Sequence, residues 1–288
     1  MADEEQTGDA GELRHDRYVG GTDLTHWSTR LGRALARFVQ RISNLLGPHG
    51  AFILILFFGA LVAAFATFGA ATVYDAVTEN DGVAGLDKPI LHAAVSIRSP
   101  WLNEVATLYT DVGGTVVMPI IAIAAILLLA LRRKSWTPVI IIAGAAIGSL
   151  LMTIAGKDLI GRARPALVYA VPPYEHSPSF PSGHTLNATV IAGAIVYVLL
   201  LRENTRWKRA LTIAVGALFA FTIGLSRMYL GHHWFTDVLA AWMLGLAWLA
   251  LVITAHRLYL TAKSRGARAP DPTTEHDDGH HVHDDRES

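Results

Sequence analysis

Six apolar stretches, which together contain a single charged residue, constrain the fold of this chain more than any other feature of its sequence. They cover residues 51–71, 112–131, 137–155, 185–201, 210–225 and 234–255. Each is bounded by charge, glycine or proline and approaches the length that crosses roughly 30 Å of hydrocarbon. Inside a bilayer, backbone N–H and C=O groups must find their hydrogen-bond partners within the protein. Such stretches therefore favour helices. We predict an all-α polytopic membrane protein with six transmembrane helices in one bundle.

Composition narrows the chemistry that such a bundle can carry. Twenty-four basic residues balance 24 acidic residues, so the sequence indicates no general attraction to nucleic acid. The chain contains no cysteine, which excludes disulfides, thiolate metal sites and cysteine nucleophiles. Histidine is therefore the side chain best suited to nucleophilic or acid–base work.

The segments outside the six stretches divide the chain into four parts. Residues 1–24 are polar and acidic, and we expect a disordered tail. Residues 25–47 place apolar and arginine side chains on different faces of a helix, which predicts a basic amphipathic helix on the membrane surface. Residues 51–260 form the six-span domain. Residues 261–288 are rich in histidine and aspartate, a composition that can bind metals but that we interpret as a disordered tail.

The region between the first two spans is mixed in polarity. Residues 73–111 are partly amphipathic and predict one or more helices at the membrane interface rather than another span. His92 falls in this region, and we interpret it as a surface histidine with no catalytic role.

Basic residues near the spans predict the orientation in the cell membrane. Fifteen flank one side and six flank the other, when loops are assigned to alternating sides. Because cytoplasmic loops carry the excess of lysine and arginine, both termini are predicted to be cytoplasmic. The extracytoplasmic side then holds the residues Lys88, Arg98, Lys157, Arg162, Arg164 and Arg227.

Two loops on that predicted outer side carry reactive residues in a fixed order. The first runs from Lys157 to Arg164-Pro165 and closes with Pro-Ser182-Gly183-His184. The second begins Ser-Arg227 and continues through two adjacent histidines to Asp237. Cations, a hydroxyl and histidines from distant parts of the chain thus meet at one membrane face, as a site for an anionic substrate requires.

These residues resemble the signature of the type 2 phosphatidic acid phosphatase superfamily. That signature is Lys-x6-Arg-Pro, then Pro-Ser-Gly-His, then Ser-Arg-x5-His-x3-Asp, and every position is matched between the third and sixth spans. The resemblance implies an integral membrane phosphatase acting on a lipid phosphate. It also implies that His233 attacks phosphorus to form a phosphohistidine, that His184 protonates the departing alcohol, and that water cleaves the intermediate.

The other residues of these two loops are suited to binding the phosphate group. Lys157, Arg164 and Arg227 form a natural phosphate clamp, although single cations at a membrane surface often only contact lipid headgroups. Ser182 and Gly183 begin the fourth span, where a helix start offers free N–H groups to an anion.

His233 and Asp237 lie four residues apart, which predicts that they share one helix face. Asp237 then fixes the tautomer of His233, and the adjacent His232 is expected to be a bystander or a minor substrate contact. No cofactor and no metal ion are expected, because three cations would repel a divalent ion.

Several alternatives stay open at this stage. Six spans are also compatible with a transporter, although the charges cluster at one face and not inside the spans. A vanadium-dependent haloperoxidase uses a similar pocket, but it belongs to a soluble branch of the superfamily. A phosphotransferase would differ only in its acceptor.

Prenyl diphosphates, phosphatidate and phosphatidylglycerophosphate are the leading substrates, with a prenyl carrier favoured. The partners expected are this substrate and membrane lipids. The oligomeric state is undetermined.

Overall fold

The computed structural model describes residues 16–19, 22–38, 41 and 82–266, and this part of the chain is mostly helical. Two short antiparallel strands, β1 and β2, cover Tyr18–Val19 and Thr22–Asp23. Residues 30–38 are helical. Seven further helices follow, which are α1 (Asp87–Ser96), α2 (Pro100–Asp111), α3 (Val117–Arg133), α4 (Thr137–Ile160), α5 (Gly183–Leu200), α6 (Arg206–Tyr229) and α7 (Phe235–Gly266). Short 3-10 helices cover Gly82–Leu86 and Leu167–Tyr169.

Four of the described helices are long and apolar enough to cross a membrane. They are α4, α5, α6 and the part Phe235–Thr261 of α7. They contain or closely overlap the predicted spans 137–155, 185–201, 210–225 and 234–255. The predicted span 51–71 lies outside the described residues, so the count of six spans stays a prediction.

The second predicted span differs in its start. The sequence predicts a span from residue 112 to 131, whereas α3 begins at Val117 and has 17 residues. A separate helix, α2, precedes it, and consecutive glycines at 113 and 114 account for the break because glycine favours neither helix continuation nor a fixed conformation. The expectation of helices within residues 73–111 agrees with α1 and α2. Whether they lie at the membrane interface stays a prediction.

Side-chain hydrogen bonds fasten α2 along the half of α6 that carries Arg227. Tyr109 Oη pairs with Thr222 Oγ1 at 2.5 Å, and Tyr229 Oη donates to Asn103 Oδ1 at 2.9 Å. The two helices therefore run antiparallel beside each other, and the turn that follows α2 reaches the start of α5.

Helix α5 lies at the centre of the bundle and packs against α4, α6 and α7. Its residues Leu186, Val190, Ala194 and Val198 recur every four positions and are fully buried. Large apolar side chains on α4 and α6 point away from the bundle and stay exposed, among them Ile147, Leu151, Leu211, Val215 and Leu218. This pattern is the one expected of helices that face lipid, because lipid tails accept apolar side chains as readily as a protein core does.

The end of the bundle opposite the predicted site residues holds the N-terminal hairpin. Arg257 Nε donates to the Leu24 carbonyl at 3.0 Å, and Trp27 Nε1 donates to Thr261 Oγ1 at 3.2 Å. Leu24 itself is buried. Residues 16–19 and 22–24 thus differ from the disordered tail expected over 1–24, because an ion pair between Arg17 and Asp23 and the burial of Leu24 give this segment a place to dock.

The C-terminal segment and the helix before the first predicted span were also compared with their predicted bounds. Helix α7 continues to Gly266, into the tail expected from residue 261. The rest of both tails lies outside the described residues. In the helical segment 30–38, the side chains of Leu31, Leu35 and Phe38 are exposed. That the helix predicted over 25–47 lies on the membrane surface stays a prediction.

Candidate active site

Four helix ends bring the predicted site residues to one end of the bundle. Lys157 lies in the last turn of α4, and Arg227 lies in the last turn of α6. Ser182 precedes α5, while Gly183 and His184 are its first residues. Arg164 and His233 lie in the connecting loops, and Asp237 lies in the first turn of α7. Alternating helix direction therefore gathers residues that are up to 80 positions apart in the chain.

Backbone carbonyls and a serine hold two of the three cations. Lys157 Nζ donates to Ser177 Oγ at 2.7 Å and to the Pro178 carbonyl at 2.8 Å. Arg164 Nε donates to the Ser177 carbonyl at 2.7 Å, and its Nη1 donates to the His232 carbonyl at 2.6 Å. Because these acceptors are uncharged, they orient the cations without neutralising them. We call Lys157, Arg164 and Arg227 the clamp.

A carboxylate that the sequence did not single out lies in the clamp. Glu175 Oε2 is 2.7 Å from Arg164 Nη2, and its Oε1 forms an ion pair with the buried Arg227. Burial acts to raise the pKa of Glu175, but Arg227 and Arg164 outweigh it and lower that pKa to about 2. An anion thus lies between the two arginines. The only signal in the sequence is an acidic residue in the loop that joins two motifs.

His233 is buried and presents one ring nitrogen to the clamp. Its Nε2 is 3.1 Å from Arg164 Nη1, and because a guanidinium only donates, Nε2 accepts with its lone pair. The proton then sits on Nδ1, which faces Asp237 Oδ2 at 3.5 Å and Ser179 Oγ at 3.4 Å. Burial, then Arg227 and Arg164, lower the pKa of His233 well below its usual value. The ring is therefore neutral at neutral pH, with an unprotonated nitrogen aimed at the clamp.

Asp237 is fully buried behind His233, with three donors around its carboxylate. Ser179 Oγ donates to it at 2.5 Å, and Arg162 Nη1 donates to it at 2.5 Å. The Trp234 N–H donates at 3.0 Å, so Asp237 also caps the start of α7. The predicted pairing of His233 with Asp237 is present, but its predicted reason is wrong. His233 precedes α7 and shares no helix face with Asp237, which instead reaches back over the helix start.

Arg162, which the sequence did not single out, connects Asp237 to a second carboxylate. Its Nη2 is 2.6 Å from Asp87 Oδ2, and its Nη1 also donates to Thr236 Oγ1 at 2.7 Å. Asp87 and Arg162 are 75 positions apart. No spacing rule relates them, so the sequence offered no signal for this contact.

His232 points its Nε2 toward the loop before it, while its Nδ1 lies 3.9 Å from Glu175 Oε1 at the edge of the clamp. Its Nε2 is 2.7 Å from the Val171 carbonyl, which can only accept, so Nε2 carries the proton. Burial, then Arg227, lower the pKa of His232 to about 4. Gly231 precedes it with φ +71°, and a Cβ there would lie 2.1 Å from the Tyr169 carbonyl oxygen. Only glycine fits this turn.

Arg98 holds the same turn from the other side. It donates to the Tyr229 carbonyl at 2.9 Å and to the Tyr169 carbonyl at 2.8 Å. His92 is exposed and packs its ring edge-on against Tyr169, with the ring centroids 5.4 Å apart. Arg98 therefore ties the loop between α1 and α2 to the turn that carries His232 and His233.

The start of α5 brings the second predicted histidine toward the first. Ser182 is fully buried, and its Oγ pairs with Thr185 Oγ1 at 2.9 Å. His184 is one of the groups that lower the pKa of His233. A Cβ on Gly114 would lie 3.3 Å from His184 Nε2, so the turn between α2 and α3 packs closely on this ring.

Within the described part of the chain, no three histidine, cysteine, aspartate or glutamate side chains group as ligands for a metal ion. The expectation that the reaction needs neither metal nor cofactor stays a prediction.

The PAP2 superfamily model matches residues 137–259, which span α4 to most of α7. Phosphatidylglycerophosphatase B of Bacillus subtilis (strain 168) is 37% identical over 180 residues, which cover 62% of this chain and 86% of that protein. The chain belongs to the PAP2 superfamily. A crystal structure of a transmembrane PAP2 type phosphatidylglycerolphosphate phosphatase from Bacillus subtilis is also similar, with a TM-score of 0.58 and 31% identity. The match covers 68% of this chain and 94% of that one.

Two further relatives of this PAP2 protein match over shorter regions. Undecaprenyl-diphosphatase of Sulfolobus acidocaldarius is 32% identical over 84 residues, and lipid A 1-phosphatase of Porphyromonas gingivalis is 32% identical over 148 residues. This chain spans only 36% and 30% of the lengths of those proteins. The predicted resemblance is confirmed, and the chain is a membrane protein of a family of lipid phosphatases.

Proposed function

We propose that this PAP2 protein releases phosphate from a phosphatidylglycerophosphate-like lipid through a phosphohistidine on His233, without a metal ion. The observation that carries this proposal is the neutral His233 ring, whose Nε2 faces Arg164 beside a clamp already holding a carboxylate. A nucleophile and an anion site are thus adjacent, as phosphoryl transfer requires.

Binding would place the phosphate of the lipid where the Glu175 carboxylate now lies. Arg164 and Arg227 then hold its oxygens, and Lys157 adds a third positive charge. Arg227 Nε has no hydrogen-bond partner among the described residues, so it has a donor to offer to an incoming oxygen. The N–H groups in the first turn of α5, from Gly183 onward, complete the set of donors.

Transfer would proceed in two steps. With the His184 ring protonated, His233 Nε2 attacks phosphorus, the bond from phosphorus to the lipid alcohol oxygen breaks, and His184 gives that oxygen its extra proton. Asp237 accepts from Nδ1–H and stabilises the positive charge that the ring acquires. Water then attacks phosphorus and passes a proton to His184, the phosphorus–nitrogen bond breaks, and inorganic phosphate leaves.

Relatives of this protein support a choice of substrate. The sequence alone favoured a prenyl carrier, but the similarity to a phosphatidylglycerophosphatase covers 86% of that relative. We therefore place phosphatidylglycerophosphate first. Prenyl diphosphate is second, since the similarity to an undecaprenyl-diphosphatase covers only 29% of this chain.

Charge distribution supports an extracytoplasmic site in a cell membrane. Arg133, Arg202 and Arg257 lie at the end of the bundle opposite the clamp, with the excess of basic residues. Because the chain has no cysteine, single cysteines placed at Pro173 and at Lys134 can be labelled in intact cells with an impermeant reagent. We expect labelling at residue 173 alone. Labelling at residue 134 alone would show the opposite orientation, with the clamp on the cytoplasmic side.

The activity itself is tested with the purified full chain in detergent and excess chelator. Release of phosphate is measured from phosphatidylglycerophosphate, phosphatidate and a prenyl diphosphate, with and without added glycerol as a second acceptor. We expect the fastest release from phosphatidylglycerophosphate, with water as the acceptor. An absolute need for added divalent metal, or transfer to glycerol without net phosphate release, would contradict the proposal.

A further inference from the structure

Behind the predicted nucleophile, the buried charges continue further than the His233–Asp237 pair. Arg162 lies between two carboxylates, with Nη1 2.5 Å from Asp237 Oδ1 and Nη2 2.6 Å from Asp87 Oδ2. The side chains of Asp237, Asp87 and Arg162 are 0%, 6% and 11% exposed. A continuous path of polar contacts therefore runs from the ring of His233 to the first residue of α1. We call Asp237, Arg162 and Asp87 the relay.

Neighbouring groups hold each member of the relay in place. The Thr236 N–H donates to Asp87 Oδ1 at 2.9 Å, so Asp87 also anchors the first turn of α7. Arg162 lies over the Trp234 ring at 5.7 Å, and Trp234 Nε1 donates to the Ala163 carbonyl at 2.9 Å. The guanidinium therefore has little freedom to leave either carboxylate.

The charge balance of the relay bears on the nucleophile. An arginine paired with Asp237 alone would cancel much of the negative charge that supports the ring of His233. With Asp87 on its other side, the arginine is shared, and the three groups together carry one net negative charge. Burial acts to lower the pKa of Arg162, but Asp237 and Asp87 outweigh it and raise that pKa.

We propose that Asp87 and Arg162 are positioning residues, which hold Asp237 and through it orient His233 for attack on phosphorus. This inference rests on the proposed function, because it assumes that His233 is the nucleophile. Between them, the side chains of Asp87 and Arg162 contact Asp237, Thr236 and each other, so their loss should slow the chemical step and leave phosphate binding intact. Asp87 lies outside the matched family region 137–259.

The test compares Asp87→Asn with wild type in detergent, using phosphatidylglycerophosphate as substrate. We expect kcat to fall about 10- to 100-fold, the scale of losing a group that orients a reactive side chain. The inhibition constant of inorganic phosphate should stay within about twofold, because phosphate needs only the clamp. The inhibition constant of vanadate should rise with the loss in kcat, because five-coordinate vanadate resembles the transferring phosphoryl group.

Three further variants separate positioning from a general loss of structure. Asp87→Glu keeps the charge and should recover part of kcat. Glu104→Gln removes an exposed acid on α2 and should leave all constants unchanged. Arg162→Lys keeps one charge but reaches only one carboxylate, and it should reproduce the kcat defect. Because both residues act along one path, the double variant Asp87→Asn with Arg162→Lys should lose less than the product of the two single losses.

The outcomes divide clearly. If wild type is active and His233→Ala is inactive, but Asp87→Asn behaves like Glu104→Gln, the positioning role is wrong while the proposed function stands. If phosphate binding and kcat fall together in Asp87→Asn and in Arg162→Lys, the relay is only structural, and the inference is again overturned. If wild type releases no phosphate, or His233→Ala retains activity, it is the proposed function that fails.

Discussion

Arg162 and Arg164 are two positions apart and equally buried, with 11% of each side chain exposed. They differ in the accessibility of the carboxylates that pair with them. Arg162 lies between two carboxylates that are nearly inaccessible, Asp87 and Asp237. Arg164 contacts uncharged carbonyls and Glu175, whose side chain is 29% exposed on a loop. The accessibility of its counter-ion therefore decides whether an arginine can exchange that counter-ion for a substrate phosphate.

The energetics of the two regions follow from this difference. Separating a buried ion pair leaves charges uncompensated in a low dielectric, which costs several kcal/mol. A carboxylate on a partly exposed loop can instead return to water while a phosphate replaces it. We therefore expect changes in the relay to act on the rate of chemistry, and changes in the clamp to act on anion binding.

The largest loss of turnover should come from replacing His233, which lies between Asp237 of the relay and Arg164 of the clamp. His233→Ala should reduce turnover by at least about 10⁴-fold, because it removes the nucleophile itself. His232→Ala should stay within about tenfold of wild type, since that ring contacts the Val171 carbonyl and a lost peripheral contact is worth about 1.4 kcal/mol. Both are measured as phosphate release by protein of unchanged melting temperature. If both variants were equally inactive, the assignment of His233 rather than His232 as the nucleophile would be wrong.

Asp237→Asn should have the next largest effect, a loss of about 10²- to 10⁴-fold in kcat. The amide keeps the shape of the side chain but loses the charge that fixes the ring tautomer and stabilises imidazolium. Steady-state kinetics should show kcat falling more than KM changes. A KM effect alone would mean that Asp237 belongs with the clamp and not with the relay.

Arg164→Lys sharpens the comparison with Arg162→Lys. The inhibition constant of inorganic phosphate should rise about tenfold in Arg164→Lys, because lysine cannot offer paired planar donors. In Arg162→Lys the same constant should stay within about twofold. Isothermal titration with phosphate checks both, and a weakened affinity in Arg162→Lys would show that the two arginines bind phosphate together.

Glu175→Gln should give the smallest effect and one of opposite sign. Removing the carboxylate removes the competitor for the clamp, so phosphate should bind about three- to tenfold more tightly. Because the pKa of Glu175 is about 2, the wild-type carboxylate stays charged at any pH used for assay, and acidification does not relieve the competition. Glu104→Gln serves as the control. Weaker phosphate binding in Glu175→Gln would mean that Glu175 supports the clamp rather than occupying it.

Local patterns account for what the sequence predicted well. Helix starts and ends follow from apolar stretches bounded by charge, glycine or proline, so the positions of Ser182 and Arg227 at helix termini were accessible without a structure. The clamp followed from a recognisable spacing of motifs. The glycines at 113 and 114 shortened α3 because they interrupt a run whose composition alone still looks like one span.

Contacts between distant segments account for what it missed. Glu175 and Asp87 are single acids in mixed loops, and their roles depend on which arginine the folded chain places beside them. The pairing of His233 with Asp237 was predicted, but from a helical register that does not exist, since His233 precedes α7. A four-residue spacing fits both a shared helix face and a capping contact, and only the tertiary structure distinguishes them.

Trapping the phosphorylated form of His233 would show whether this residue carries the phosphoryl group. The purified protein is mixed with substrate labelled in the scissile phosphate, quenched in alkali within milliseconds, digested and mapped by mass spectrometry. We expect an acid-labile, alkali-stable phosphate on the peptide containing His233. It should be retained in His232→Ala, reduced in Asp237→Asn and absent in His233→Ala. Turnover with no labelled histidine in any variant, or a label on His184 or His232, would contradict this role of His233.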